Sequence, residues 1–240
     1  MSSKIIIEIQ QEIDFENSTF ITGFHGIGWT GYIAIRHLIK TAETERIGYI
    51  LGDNLPDVIC LEEERLILPF EFHKYKNFII FQPPFQPIPI EHQEILHELA
   101  LWIVKSKFRE AILLGGLDIR FQQKEEKLRI VPTKNFIETA KTLNIPFLEK
   151  GLLIRGPLAL LLTHLEVLNF PAAVILPYAM PNRPDPAAAA DAIEFLNEHY
   201  HLDLSTTQLH TDAQMIEDEI EEILRQERER SEQEPRDMYI

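Results

Sequence analysis

The segment "GFHGIGWTG" contains three glycines whose spacing could bind a nucleotide. Gly26, Gly28 and Gly31 satisfy the pattern G-x-G-x-x-G between a strand-like run and a helix-like run. Asp53 follows the next strand-like run, where dinucleotide-binding folds place the acid that binds a ribose hydroxyl. Such a turn brings a helix N-terminus close to a pyrophosphate. Dinucleotide binding is therefore one interpretation of these residues.

Other features of the same segment weaken that interpretation. Three residues, 23–25, separate the strand-like run from Gly26, and Trp29 puts a large ring where the helix would approach the pyrophosphate. A P-loop would require a Lys after the glycines, and none is present. The favoured interpretation is structural: Gly26, Gly28 and Gly31 form a tight turn that lets the helix pack closely on its strand.

The remaining reactive side chains do not form a recognisable catalytic or metal-binding pattern. His92 and His97 are five residues apart and His199 and His201 are two apart, so neither pair has the i, i+4 spacing of a helical metal site. The single Cys60 excludes an intramolecular disulfide and a cysteine-based metal site. Neither a G-x-S-x-G nor an H-E-x-x-H motif is present. We expect no catalytic residue, no metal and no cofactor.

Charge and hydropathy narrow the possible partners. The net charge is -15 and the pI is near 5.0, without a cluster of Lys and Arg, which disfavours nucleic acid. The longest apolar run, "FPAAVILPYAM", is interrupted by prolines and too short to span a bilayer. No long apolar segment follows Met1, and one cysteine suits a reducing compartment. We expect a soluble cytoplasmic protein without a membrane partner.

Short β-rich runs alternate with helical runs along the chain, which predicts an α/β fold. Several strands are apolar on both faces and therefore need helices on both sides, so we expect a three-layer α/β/α sandwich with a mostly parallel sheet. The run "LILPFEFHKYKNFIIFQ" predicts an antiparallel pair of strands within it. The predicted strands are "KIIIEI", "TFITGF", "RIGYIL", "LILPFEF", "NFIIFQ", "AILLGG", "LRIVP" and "AAVILPY".

A separate helix and a flexible tail are predicted after this domain. Thr211 and Gln214 match a capping box, and Ile216, Ile220 and Ile223 fall on one face of the helix that would follow. The last residues are rich in Glu, Arg and Gln, which is typical of a disordered linker. The predicted boundaries are 1–210 for the α/β domain, 211–230 for the helix and 231–240 for the tail.

Four segments, in the same order, resemble the proteasome assembly chaperone 2 family. They are "ITGFHGIGWTGYIAIRHLI", "AILLGGLDIR", "GLLIRGPLALLL" and "RPDPAAAADAIEFL", and the resemblance runs from about Phe20 to Leu204. It implies a chaperone-like α/β/α scaffold without catalysis. It also implies that Gly26, Gly28 and Gly31 are structural.

The resemblance also implies a docking role for the last three residues. Met238, Tyr239 and Ile240 match the hydrophobic–Tyr–X (HbYX) signature with which proteasome activators dock, so the implied partners are the α-subunits of the 20S proteasome. A terminal carboxylate beside an aromatic ring is a compact anchor. The alternative is that these residues fold back onto the domain or into an oligomer interface.

Together these observations favour an archaeal-type assembly chaperone or activator that acts without ATP. We expect a homo-oligomer of four or more subunits, with the isoleucines and the "QPPFQPIPI" loop as apolar surfaces for self-association. One alternative is an oligomeric scaffold that recruits another protein while its tail stays idle. The other is a nucleotide-binding enzyme that uses the Gly26 turn.

Overall fold

The computed structural model describes residues 5–52, 55, 59–62, 64–82, 93–123 and 125–233. The strands are β1 (Ile5–Ile9), β2 (Thr19–Gly23), β3 (Glu45–Gly52), β4 (Cys60–Glu62), β5 (Arg65–Ile67), β6 (Glu71–Tyr75), β7 (Phe78–Gln82), β8 (Glu110–Leu114), β9 (Leu117–Asp118), β10 (Leu128–Pro132) and β11 (Ala172–Ala179). The helices are α1 (Thr30–Thr41), α2 (Glu94–Lys105), α3 (Ile137–Thr142), α4 (Pro157–Val167), α5 (Pro186–Tyr200) and α6 (Thr207–Gln233).

One large sheet organises the protein, with strand order β1-β3-β6-β7-β2-β8-β11-β10. The central strands β7, β2, β8 and β11 are parallel, and the strands on either side of them pair antiparallel. The short β9 pairs with β11, and β4 and β5 form a separate hairpin. The predicted α/β class is confirmed, as is the predicted antiparallel pair, which is β6 with β7.

Helices cover both faces of the sheet, which accounts for strands that are apolar on both sides. In β2, Phe20 points to the core beneath α2 and α4, whereas Ile21 points to the core beneath α1 and α5. Strands β8 and β11 alternate in the same way between the two cores. Because successive side chains of a strand point to opposite faces, continuous apolar runs are what a three-layer sandwich requires.

Local sequence signals determine where the later helices begin. Pro157 starts α4, and Asp185 caps α5 by accepting a hydrogen bond from the backbone N–H of Ala188 at 3.0 Å. Helix α6 begins at Thr207, four residues before the predicted capping box. The Thr211 hydroxyl instead donates to the Thr207 carbonyl at 3.0 Å, so Thr211 lies inside the helix.

Helix α6 runs antiparallel to α5 and continues past it. His210 lies beside Glu194 in the middle of α5, and Glu217 forms an ion pair with Arg183, just before α5 begins. The helix extends to Gln233, about 24 Å beyond Glu217 at 1.5 Å per residue. Within the part of the chain that the structure describes, no helix combines the length and the apolar character needed to cross a membrane.

Candidate functional site

Helix α1 and the sheet meet at a joint made of glycines. We call Gly23, Gly31 and Gly116 the glycine joint. A Cβ on Gly31 would overlap the Leu114 carbonyl oxygen and would lie 3.1 Å from the Gly23 Cα. A Cβ on Gly23 would overlap the Gly31 carbonyl, and one on Gly116 would overlap the Ile27 carbonyl. Backbone therefore touches backbone, and only glycine permits this approach.

Gly28 lies in the turn that leads into α1, between the joint and α5. Its φ of 61° is in the left-handed region, and its carbonyl accepts a hydrogen bond from the Asp185 N–H at 2.8 Å. A Cβ on Gly28 would lie 2.7 Å from the Ala179 Cβ and 3.0 Å from the Asp185 Cβ. The turn is thus closed over by the loop that joins β11 to α5.

This packing argues against nucleotide binding at the Gly28 turn. The space beside Gly28 is filled by Ala179 and Asp185, whereas a phosphate-binding turn keeps that space open for the ligand. Trp29 is 47% exposed and precedes the first residue of α1. Gly26 differs from its neighbours: its backbone is extended and a Cβ there would meet nothing within 4 Å. Asp53 lies outside the described residues.

The structure describes only part of the predicted C-terminal interaction site. Ile216 and Ile220 are half-buried on α6, while most of their neighbours on the helix are exposed. The side chain of Ile223 lies outside the described part of the structure. The same is true of the tail residues Met238–Ile240 and of residues 83–90 in the proline-rich loop. Their predicted roles therefore stay predictions.

A buried polar network, which the sequence patterns did not reveal, joins strands β3, β5 and β6. The Glu71 carboxylate is fully buried, and it accepts hydrogen bonds from Arg46 at 2.8 Å and from the Leu68 N–H at 3.0 Å. Its other oxygen accepts from His73 Nε2 at 3.1 Å and from Arg65 at 3.3 Å. Four donors on one carboxylate hold it in a single position.

These donors also determine the ionisation of Glu71. Burial on its own raises the pKa of a carboxyl group, because the charged form loses hydration. Hydrogen bonds from His73, Leu68 and Arg46, with the nearby charge of Arg65, outweigh burial and lower the pKa of Glu71 to about 2. Glu71 is therefore a carboxylate at neutral pH.

Part of this network has a signal in the sequence, which is the spacing of Glu71 and His73. Glu71 and His73 are two residues apart in a strand whose other face carries Phe72, so they share one buried face. Gln82 is the cross-strand partner of Glu71 and shares that face. Acidic, imidazole and amide side chains on a covered face of a sheet indicate a polar site rather than a solvated surface.

The fold and these features define a class of protein: a three-layer α/β domain with a glycine-packed first helix and a long final helix that continues past the domain. The chain belongs to the PAC2 family, whose model matches residues 20–224. The resemblance to the proteasome assembly chaperone 2 family that the sequence segments carry is thereby confirmed.

Solved structures and a curated protein give the same relationship. PbaA of Pyrococcus furiosus, described as an archaeal homolog of proteasome-assembly chaperone, is 27% identical and covers 94% of each chain with a TM-score of 0.80. PbaB of the same organism, described as an archaeal proteasome activator, shares the fold at 21% identity and a TM-score of 0.75, over 92% of this chain and 98% of that chain. An uncharacterized protein of Methanocaldococcus jannaschii is 28% identical over 219 residues, 90% of this chain and 89% of that protein.

Proposed function

We propose that this protein is a proteasome assembly chaperone or activator that works without ATP and docks its C-terminal tails on the α-ring of the 20S proteasome. The observation that carries the proposal is the course of α6. This helix continues about 24 Å past the start of α5, on a domain whose family relatives include an archaeal assembly-chaperone homolog. A long final helix supplies the reach that a docking tail needs.

The tail itself supplies the chemistry of docking. In this proposal the α-carboxylate of Ile240 pairs with a cation in a pocket between α-subunits. The ring of Tyr239 buries apolar area there and its hydroxyl makes a hydrogen bond, while Met238 packs beside it. The acidic and polar residues that precede the tip keep it in water until it docks.

Several tails acting together would turn a weak anchor into firm binding. We propose a homo-oligomer of four or more subunits, because linked tails bind a multi-pocket ring with a high effective concentration. Ile216 and Ile220, which are half-buried on α6, are the described residues best placed to extend an oligomer interface along that helix. Light scattering at micromolar concentration tests this part, and a monomer would contradict it.

The proposal includes no catalysis and places the protein in the cytoplasm, with the proteasome. Its support is the family relationship and the protein-filled space beside Gly28, where a nucleotide-binding turn would need room. Assembly and gate opening both require only binding energy, so neither needs a catalytic residue.

A 20S pull-down and a peptide-hydrolysis assay test the docking role of the tail. Tyr239→Ala, and deletion of Met238–Ile240, should abolish 20S binding, because loss of a buried aromatic anchor commonly costs about 2 kcal/mol at each tail. One residue appended after Ile240 should weaken binding by displacing the carboxylate. Asp237→Ala, next to the motif but outside it, is the matched control and should bind like wild type.

Oligomer size and melting temperature separate docking from the alternatives. Under the proposal both stay unchanged in the tail variants. If deletion of the tail lowers the melting temperature, the tail packs on the protein itself. Equal binding by wild type and by the deletion variant, or binding by neither, would show that the tail does not dock, and the second result favours a scaffold that recruits another protein.

A further inference from the structure

A large cleft lies on the sheet face beside α1, with the buried polar network in its floor. We call it the polar cleft; its volume is about 1080 Å³. Arg46, Glu71, His73 and Gln82 lie on adjacent strands of this face. The walls come from α1, from the β4–β5 hairpin and from the first turns of α6. The cleft arises because α1 packs on β2, β7 and β8, while no helix in the described part of the chain covers β3 and β6 on this face.

One group in the floor has an unused hydrogen-bonding atom. Gln82 is 1% exposed, and its Nε2 has no hydrogen-bond partner among the described residues. An amide N–H₂ buried without a partner is unfavourable, and native proteins avoid it unless water or a ligand supplies an acceptor. Gln82 lines the polar cleft, but Nε2 itself has less than 1 Å² of accessible surface. The amide must therefore turn about its last side-chain bond to present this donor to a ligand in the cleft.

Further donors lie close to Gln82. Because Glu71 and Gln82 are cross-strand partners, their Cβ atoms lie about 5 Å apart, and the arginines that bind Glu71 are therefore near the Gln82 amide. Arg46 and Arg65 each use only Nη1 in hydrogen bonds within the described part of the chain, which leaves other guanidinium N–H groups available. Lys40 adds an exposed ammonium group to the lining.

The rest of the lining limits the charge and shape of a ligand. Carboxylates of Glu43, Glu62 and Asp212 also line the cleft and would repel a polyanion such as a nucleotide triphosphate. Apolar side chains provide area for a non-polar body. They are Tyr32, Ile33 and Ile39, which are half-buried.

We infer that the polar cleft binds a small molecule with a single carboxylate and an apolar body, with the carboxylate accepting hydrogen bonds from Gln82 and from Arg46 or Arg65. Charge-assisted hydrogen bonds from guanidinium groups are the stronger part of such recognition. The amide of Gln82 fixes the position of the anion, and the isoleucines and Tyr32 contact its body. This site is separate from the tail and does not depend on proteasome binding.

Thermal shift and calorimetry with 4-phenylbutyrate test the inference, with 4-phenylbutyramide and ATP as controls. The carboxylate should bind saturably and raise the melting temperature by about 5–10 °C at a hundredfold excess over its Kd. The amide and ATP should leave it unchanged. Acetate should bind about tenfold or more weakly than 4-phenylbutyrate, because it lacks the apolar body.

Gln82→Met separates a ligand-binding role from a structural one. The variant keeps the volume of the side chain but removes its donor, so the unliganded protein should melt at the same or a higher temperature, while stabilisation by 4-phenylbutyrate is lost. Gln122→Met, at an exposed position, is the matched control and should respond like wild type. Lys40→Met should weaken binding severalfold, whereas Lys141→Met should not.

NMR of the side-chain amides in ¹⁵N-labelled wild type gives a second readout. The Gln82 resonance, assigned by its loss in Gln82→Met, should shift on titration with 4-phenylbutyrate. The inference is wrong if the carboxylate leaves the melting temperature and this resonance unchanged, which would indicate that only water meets the amide. It is also wrong if the carboxylate and the neutral amide stabilise the protein equally, or if Gln82→Met responds like wild type.

Discussion

The glycine joint and the polar cleft lie on the same face of one sheet, but helix α1 leaves no space at the first and a large space at the second. At the joint, a single Cβ on Gly31 would overlap the Leu114 carbonyl. Along the flank of the same helix, the cleft has a volume of about 1080 Å³. The two regions differ in which atoms meet: backbone with backbone at the joint, and charged or amide side chains across the cleft.

The difference shows how one helix can serve both packing and binding. Glycines bring the start of α1 down onto β2 and β8, which fixes the helix over the centre of the sheet. Strands β3 and β6, farther out, have no helix on this face among the described elements, and their side chains can be polar. On the opposite face the same strands are closely packed through Ile47 of β3 and Phe72 of β6. Stability should therefore depend on the joint more than on the cleft.

Substitution of Gly31 by Ala should give the largest effect in the domain. The added methyl overlaps the main chain of β8, which cannot rotate away as a side chain would, so α1 must move off the sheet. Overpacking a core typically costs 1–3 kcal/mol, and a backbone clash puts this variant at about 3 kcal/mol or more. Urea unfolding measures the change, and a loss below about 1 kcal/mol would show that the joint is not tightly packed.

Much of this arrangement could be predicted from the sequence. Apolar runs bounded by turn residues located the strands of the sheet, and Pro157 and Asp185 marked the starts of α4 and α5. These signals are local, so a single sequence carries them. The capping box at Thr211 misplaced the start of α6, because Leu209 packs into the core and extends the helix backwards.

The polar cleft could not be predicted in the same way, because it depends on which strands the helices cover. Glu71 and His73 lie in a strand whose alternation is evident, but the sequence does not show that β6 lies beside β3 or that Gln82 faces Glu71. Strand order depends on contacts between distant segments. The motif glycines Gly26, Gly28 and Gly31 likewise looked equivalent in sequence, whereas only Gly28 and Gly31 are tightly packed.

Glu71→Gln tests whether the buried network beneath the polar cleft also supports the fold. The pKa of Glu71 is lowered from 4.5 to about 2, so ionised Glu71 stabilises the folded protein above pH 4.5 and this contribution is lost as the pH falls toward 2. The variant should be about 3 kcal/mol less stable at pH 7. That difference should shrink as the pH is lowered through this range.

Glu43→Gln is the matched control for Glu71→Gln, because Glu43 is an exposed carboxylate that lines the cleft above the network. It should change the free energy of unfolding by less than about 0.5 kcal/mol at any pH. A loss at pH 7 that persists unchanged at pH 2 would mean that Glu71→Gln acts through packing and not through charge. Equal effects of the two substitutions would contradict the special role of the buried network.

Gly28→Val tests the turn between the joint and α5. Valine is strained at a φ of 61° and its Cβ would press on Ala179 and Asp185, so we expect a loss of about 2 kcal/mol and a lower melting temperature. Added NAD or ATP should leave the melting temperature of wild type unchanged. Saturable stabilisation by either nucleotide would instead support the nucleotide-binding enzyme.

Gly26→Ala should have the smallest effect and provides the internal control for the other glycines. Gly26 has an extended backbone that any residue adopts, and a Cβ there meets nothing within 4 Å. Alanine also reduces the conformational freedom of the unfolded chain, which favours the folded state by up to about 1 kcal/mol where the backbone is compatible. The melting temperature should therefore stay the same or rise slightly, in contrast to Gly31→Ala five residues away. If Gly26→Ala destabilises the protein as much as Gly28→Val does, the G-x-G-x-x-G segment acts as one unit, and the close packing of α1 alone does not explain its glycines.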